Sequence, residues 1–467
     1  MAAFSIITIK LVTLGLSKEL VGQYNSAYGY LQIFGMLADF GLYAVAVREL
    51  SKGPEEEKER TFGTLLVLRC CVLLLSLGAA LLIAWSVPAW RNTHLPIGIT
   101  IAAAVPLFTL LGGIMRTIFQ VTFRLKDVFV AEVGQRIITV GLTAALIIMG
   151  MRSSSSVRDY EMILAFGGVG AAFLFLYSFI RGSRLLKIRP NWNRTQLKRM
   201  FYLAAPFGVA FLFTALYRQL DVTLIALLRT DFDLQNAYYG PVQRMMDMAY
   251  LLPTFLLNST LPVVGALHEK GEDSSKLLGK TLLVILIIGS IGGLFAALWS
   301  RPIVELLTRE SYLSVGDTPG SDTALRLLAA PIFFNGLILF SFYAMLAKNV
   351  WKPLVITLAA GAVLSLMLNL FLIPTYGFVG AAVSSIFTHA FLAVALLPQA
   401  LRILPAKIPR NVILRWHAFG AIVAVMLAIS GQFLGSSLVT ALALIVALPL
   451  IAAVAWFTGL LSALREA

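Results

Sequence analysis

The sequence predicts an all-α polytopic membrane protein with about fourteen transmembrane helices, and three observations predict it. Of 467 residues 59% are hydrophobic and 13% charged, against about 25% charged in soluble chains, and mean hydropathy is +0.87. Apolar runs recur along the whole length, most of them ~17–25 residues, enough to span a bilayer core. The connections between them alternate between basic and nearly uncharged. The net charge of +14 would suggest nucleic acid in a soluble chain. Here the cations fall in short connections, the pattern of membrane orientation, so no nucleic-acid partner is expected.

The runs are Phe4–Leu16, Ser26–Val47, Thr61–Trp85, Ile97–Phe119, Val128–Met149, Glu161–Ile180, Phe201–Leu228, Asn236–Val264, Leu277–Trp299, Thr323–Leu346, Leu354–Leu372, Gly377–Leu397, Ile413–Ser430 and Leu438–Leu461. The first is short and holds Lys10. No small-residue cleavage site follows it, so it is read as a membrane helix that neighbours or an upstream start complete, not as a signal peptide. SKGPEEEKER at Ser51–Arg60 is a charged turn. Cys70 and Cys71 are adjacent in the third run and make no disulfide or metal framework. His389 lies deep in the twelfth run, where helix packing outweighs proton coupling. Pro206, Pro253, Pro262 and Pro331 mark expected kinks in helices seven, eight and ten. Asn258, Asn335 and Asn369 read as bridges between helices.

The basic residues set the orientation. Twenty-three lie in the connections after even-numbered runs and at the C-terminus, with Arg181–Met200 the richest, against seven on the opposite side. Both termini are therefore expected in the cytoplasm. An internal echo divides the chain. Tyr28-Gly29-x-x-Gln32 opens the second helix and Tyr239-Gly240-x-x-Gln243 the eighth; Lys126-Asp127-Val128 precedes the fifth and Lys348-Asn349-Val350 the eleventh. The expected organisation is two pseudo-symmetric six-helix bundles, residues 1–180 and 201–400. A basic connection, 181–200, joins them, and helices thirteen and fourteen follow at 401–467.

Charges inside the runs point to a polar pathway. Leu212–Pro262 carries Arg218 with Asp221 on one helix and Arg244 with Asp247 on the next. Each pair is three residues apart, so both members share a helix face. Arg218 lies ~15 Å from its helix end, about mid-bilayer. A charge there costs at least ~2.5–3.5 kcal/mol and should face a bundle interior or wet cavity. The bland alternative is that these pairs only neutralise one another between helices. Lys10 joins this outer tier. A cytoplasmic tier holds Asp39, Arg69, Arg116, Glu132 and Arg136. Arg116, four residues from a helix end, is expected to snorkel. Glu132 and Arg136, at i and i+4, could pair within their helix. Six cations face four anions across both tiers, which suits a cavity for an anionic substrate.

GQYNSAYGYLQIFGMLADFGLYAVAVREL at Gly22–Leu50 resembles the second-helix region of polysaccharide-biosynthesis flippases, with its Gly-x-Tyr start, Ala-Asp-x-Gly-Leu stretch and Arg-Glu end. Arg218–Asp221, Ala237–Gly240, Arg244 and the run to Pro262 resemble the mid-chain pattern of that group. LNLFLIPTYGFVGAAVSS at Leu368–Ser385 is similar to its eleventh-to-twelfth helix junction. The resemblance covers most of the chain to about Ala400, although the short first helix departs from the family's usual form. It implies the oligosaccharide flippase branch of the multidrug/oligosaccharidyl-lipid/polysaccharide exporter superfamily: a V-shaped transporter in the inner membrane. Its substrate would be undecaprenyl-diphosphate-linked oligosaccharide, moved to the outer leaflet, with polysaccharide polymerases as potential partners. Arg218, Arg244, Asp221, Asp247, Arg69, Arg136 and Lys10 would then be the substrate-binding residues.

Two transporter alternatives share the plan: a lipid-linked peptidoglycan precursor flippase and a cation-coupled multidrug antiporter. A membrane glycosyltransferase or polymerase would carry a sizeable exterior catalytic loop, and Ser300–Asp322 is short and plain, so no enzyme is expected. No G-x-x-x-x-G-K-[ST] loop is present, so neither direct ATP coupling nor any cofactor is expected.

Overall fold

The computed structural model describes residues 2–51, 54–270, 272–348 and 350–462. Among these the regular elements are all helices, apart from two isolated β-bridges, Leu16 to Ser154 and Val315 to Thr318. Close packing groups the chain into two units, Met1–Gly240 and Pro241–Ala467.

The first unit holds α1 (Ala2–Gly15), α2 (Lys18–Asp39), α3 (Leu42–Leu50), α4 (Glu55–Ser86), α5 (Leu95–Ala102), α6 (Ala104–Val121), α7 (Leu125–Ile148), α8 (Val157–Ser183), α9 (Arg194–Leu228) and the start of α10 (Phe232–Ala249). The Ser17 hydroxyl caps α2 by accepting from the Leu20 amide, and Asn193 Oδ1 caps α9 by accepting from Thr195 and Gln196 at 3.1 Å, which satisfies donors that a helix start leaves bare. α2 stops at Asp39 because Phe40 (φ 42°) and Gly41 (φ 69°) both turn left-handed. A side chain at Gly41 would also strike Phe207, with Cβ atoms 2.4 Å apart, so the break requires glycine. The chain restarts as α3, whose Leu42, Val45, Ala46 and Leu50 pack with Phe62, Leu65, Ile118, Met200 and Ala204.

The second unit holds the rest of α10, then α11 (Leu251–Glu269), α12 (Ser275–Leu298), α13 (Ser300–Leu307), α14 (Ser321–Leu327), α15 (Ala329–Ala347), α16 (Trp351–Ile403), α17 (Arg410–Gly431) and α18 (Ser437–Phe457). α16 is a folded-back pair. Its backbone leaves helical geometry at Gly377 (φ 56°, ψ −135°), and beyond it Ser384 Oγ reaches Ser365 O at 3.3 Å while Gln399 Nε2 reaches Thr357 Oγ1 at 3.2 Å. The last two helices seat Phe419, Val423, Leu427 and Ile451 against Leu283 and Trp299.

All fourteen apolar runs fall on helix. Among the described residues eleven helices are long and apolar enough to cross a membrane. The difference from fourteen has three causes: α1 has 14 residues, α2 carries Lys18, Glu19, Gln23 and Asn25, and α16 joins two runs in one. Leu75, Leu82, Phe129, Ile445 and Trp456 stand well exposed. Apolar surface on that scale belongs against lipid, and the chain is a multi-pass membrane protein.

The prolines act less uniformly than expected. Pro206 lies inside an unbroken α9. Pro253 and Pro331 instead occupy the first turn of new helices, α11 and α15, where a missing N–H costs nothing. The side chain of Pro262 and the residue Asn349 lie outside the described parts. Asn258 bridges to Tyr343. Asn369 instead donates to Ser365 in its own helix at 3.3 Å, and Asn335 makes no hydrogen bond among the described residues.

Candidate functional site

Four charged groups of the first unit, Asp39, Arg69, Arg116 and Glu132, gather where α2, α4, α6 and α7 approach one another. Arg69 is 2% exposed. Its Nη2 lies 2.6 Å from Asp39 Oδ1, its Nη1 donates to Ala38 O at 3.2 Å and Asp39 O at 3.0 Å, and its Nε donates to Leu110 O at 3.3 Å. One guanidinium therefore closes the open carbonyl end of α2, the negative end of the helix dipole, and neutralises the carboxylate beside it. Asp39 is a third exposed and opens on a cavity of about 350 Å³ lined by Tyr28, Gln32, Met36, Pro106 and Thr109, among others.

Arg116 does not snorkel. Its Nη1 pairs with Glu132, and its guanidinium sits 5.9 Å from the centre of the Tyr43 ring, whose hydroxyl donates to Gln120 Oε1 at 2.5 Å. Glu132 thus takes a partner from α6, and Arg136, one turn further on, instead donates to Ser5 on α1 at 3.1 Å. The i, i+4 spacing put both on one face, but the guanidinium of the neighbouring helix comes closer. Lys10 is half-buried on α1.

Around α9 and the start of α10, Asp221 is buried. Its Oδ1 accepts from the Val222 amide at 2.9 Å, and its Oδ2 accepts from the Tyr239 hydroxyl. Arg218 is half-buried three residues earlier. Both echo motifs mark close approaches in this region. A Cβ on Gly29 would meet Val222 at 2.7 Å, and one on Gly240 would meet Asn25 at 2.3 Å. Asn236 locks the seam by donating to Ser26 Oγ at 2.8 Å and Val222 O at 3.0 Å. In the connection between α9 and α10, the Arg229 guanidinium 2.8 Å from Asp231 holds that carboxyl below its usual value. Arg244 and Asp247 lie in the second unit, half-buried on α10.

Of the seven candidate residues, Arg69 thus falls in the first unit's charge cluster, Arg136 and Lys10 near α1, Arg218 and Asp221 on α9, and Arg244 and Asp247 beyond the division. Asp39, Arg116 and Glu132 complete the cluster. Their partners lie on other helices, so no local spacing announced them. Among the described residues no group of three His, Cys, Asp or Glu side chains could hold a metal. Cys70 and Cys71 are free and partly buried on α4, and buried His389 donates from Nδ1 to Ser385 O at 2.8 Å.

The sequence profile of the family described as polysaccharide biosynthesis protein matches residues 1–268, more than half of the chain. The chain belongs to that polysaccharide biosynthesis family. A search of curated protein sequences returns no match. Among solved structures the chain is similar to the lipid II flippase MurJ in an inward closed conformation, with a TM-score of 0.75 at 13% identity over 98% of this chain and 96% of that one. It is also similar to a multidrug resistance MATE family transporter of the MOP superfamily in an inward-facing conformation, with a TM-score of 0.65 at 11% identity, covering 86% and 94% of the two chains. At these identities the likeness establishes the fold. This member of the polysaccharide biosynthesis family therefore has the helical architecture shared by MurJ and the MATE transporters.

Proposed function

We propose that the protein is a flippase that carries undecaprenyl-diphosphate-linked oligosaccharide from the cytoplasmic to the outer leaflet by alternating access, for cell-surface polysaccharide synthesis. One observation carries this reading. The stretch matched by the polysaccharide biosynthesis family, residues 1–268, contains all six cations of the two tiers: Lys10, Arg69, Arg116, Arg136, Arg218 and Arg244. Guanidinium forks and ammonium groups in a wet cavity are suited to a diphosphate and to acidic sugars, while the lipid tail stays in the bilayer. The reading includes fourteen crossings in the inner membrane with both termini cytoplasmic, two six-helix bundles with two appended helices, and polymerase partners. It assigns substrate contact to Arg218, Arg244, Asp221, Asp247, Arg69, Arg136 and Lys10.

The likeness to MurJ favours a second reading, in which the lipid-linked cargo is a peptidoglycan precursor. The multidrug alternative draws on the MATE likeness. Deleting the gene and measuring which lipid-linked intermediate accumulates on the cytoplasmic leaflet separates these. Trapped oligosaccharide supports the proposal, trapped peptidoglycan precursor supports the second, and a loss of cationic-dye efflux with both lipids normal supports the third.

A further inference from the structure

Arg69 on α4 and Arg116 on α6 converge on one point above Gly113. A Cβ built on Gly113 would lie 3.6 Å from Nη2 of each arginine, and among the described residues nothing else beyond the helix's own turn comes within 4 Å. The two guanidinium groups are unequally engaged. Arg69 is committed to Asp39 and to three backbone carbonyls, with one Nη2 hydrogen to spare. Arg116 gives Nη1 to Glu132, and its buried Nε hydrogen-bonds nothing among the described residues. Donors from two cations therefore face a gap that only a residue without a side chain leaves open. Each cation has a carboxylate on another side, so the pair is stable at rest, while the buried Nε of Arg116 is left unmatched among the described residues, a state that costs free energy until an acceptor arrives.

We infer that Gly113 is the floor of a phosphate-binding notch formed by Arg69 and Arg116. An oxygen accepting from both Nη2 atoms at ~2.9 Å occupies the volume a Cβ would fill. Arg116 can offer two parallel N–H groups to a tetrahedral oxyanion. Resting on the function proposed above, the occupant is a phosphate of the diphosphate linker, taken up at the cytoplasmic depth of this tier, before the outer-tier residues Arg218 and Arg244 are engaged.

The test uses the full chain in detergent or nanodiscs with inorganic pyrophosphate as the probe, and the variant Gly113→Ala. Its methyl group meets only ordinary contact distances, and alanine is the better helix former, so thermal stability should hold or rise. Pyrophosphate affinity should fall by at least about tenfold, the loss of one charge-assisted contact. The neutral double variant R116Q/E132Q should also fold and lose the affinity. Unchanged pyrophosphate binding in Gly113→Ala would overturn the notch, as would a drop in stability that marks Gly113 as a packing residue. Displacement of pyrophosphate by an equal concentration of short-chain phosphatidylglycerol would overturn the diphosphate as occupant in favour of a membrane phospholipid. In cells, Gly113→Ala should strand lipid-linked oligosaccharide on the cytoplasmic leaflet at normal protein abundance. Normal transport by Gly113→Ala, with transport lost on deletion, would refute the notch and leave the flippase reading standing. Normal lipid distribution on deletion, with Gly113-dependent pyrophosphate binding intact, would refute the flippase reading alone.

Discussion

Arg69 Nη2 stands 2.6 Å from Asp39 Oδ1, so a guanidinium on α4 holds both the last carboxylate of α2 and the carbonyls beside it. Replacing Arg69 with Gln should cost about 3–5 kcal/mol, toward the lower end because Asp39 is partly exposed to solvent that can screen it. Arg69→Lys should recover little, since a point charge cannot reach Asp39, Ala38 O and Leu110 O together. Thermal unfolding of the purified variants checks this. A Lys variant as stable as the parent would show that the fork is dispensable.

The Tyr239 hydroxyl on Asp221 gives a second test. Tyr239→Phe takes a donor from a buried carboxylate and should destabilise by about 1.5–3 kcal/mol. The function of Arg218 is read from double variants. Arg218→Gln should abolish transport, and R218Q/D221N should restore stability without restoring flux if Arg218 holds diphosphate. Recovery of both together would reduce Arg218 to a counter-charge, and the same comparison applies to Arg244 with Asp247.

Much of this was legible in the sequence, and what was not has a common cause. Each of the fourteen runs is helical because apolar length is a local property. Cytoplasmic-tier residues were also visible singly, since a charge in an apolar run stands out. Their pairing was not. Arg69 finds Asp39 and Arg116 finds Glu132 on different helices, while the only sequence-adjacent option, Glu132 with Arg136, loses to the nearer guanidinium of α6. Gly113 gave no signal, because a glycine in an apolar helix reads equally well as packing. The kinks expected at Pro253 and Pro331 are instead breaks between helices three residues earlier, at Tyr250 and Leu328, since proline is tolerated in a first turn as readily as it kinks an interior.

The connection between α9 and α10 should be acid-sensitive. Arg229 holds the Asp231 carboxyl below its ordinary value of 3.8, so the pair stabilises the fold above that value, and the contribution is lost as pH falls through the lowered one. The pair is partly exposed, which limits it to less than about 1 kcal/mol. Thermal unfolding of the parent and Arg229→Gln between about pH 6 and about pH 2.5 should show a small gap that closes at the acid end. A gap that widens there would reverse the assignment.

The proposed orientation, with both termini cytoplasmic, rests on the charge bias of the connections. In a variant lacking Cys70 and Cys71, single cysteines at Ser154 and Asp317 should react with an impermeant reagent in intact cells. Cysteines at Lys187 and Lys407 should react only after lysis. Labelling at position 187 in sealed cells would overturn the arrangement with cytoplasmic termini.

The most direct test of the flippase reading is the leaflet distribution of the lipid-linked precursor. Purified protein would be reconstituted in vesicles with undecaprenyl-diphosphate-linked oligosaccharide in one leaflet, and the fraction reachable by an added, impermeant glycosidase would be followed in time. The account predicts that this fraction equilibrates in the presence of the parent protein and stays fixed with Gly113→Ala or Arg218→Gln. No exchange with the parent, while a peptidoglycan precursor or an organic cation moves, would contradict it; exchange at equal rates by parent and variants would refute the contacts assigned to Gly113 and Arg218 and leave the flippase reading standing.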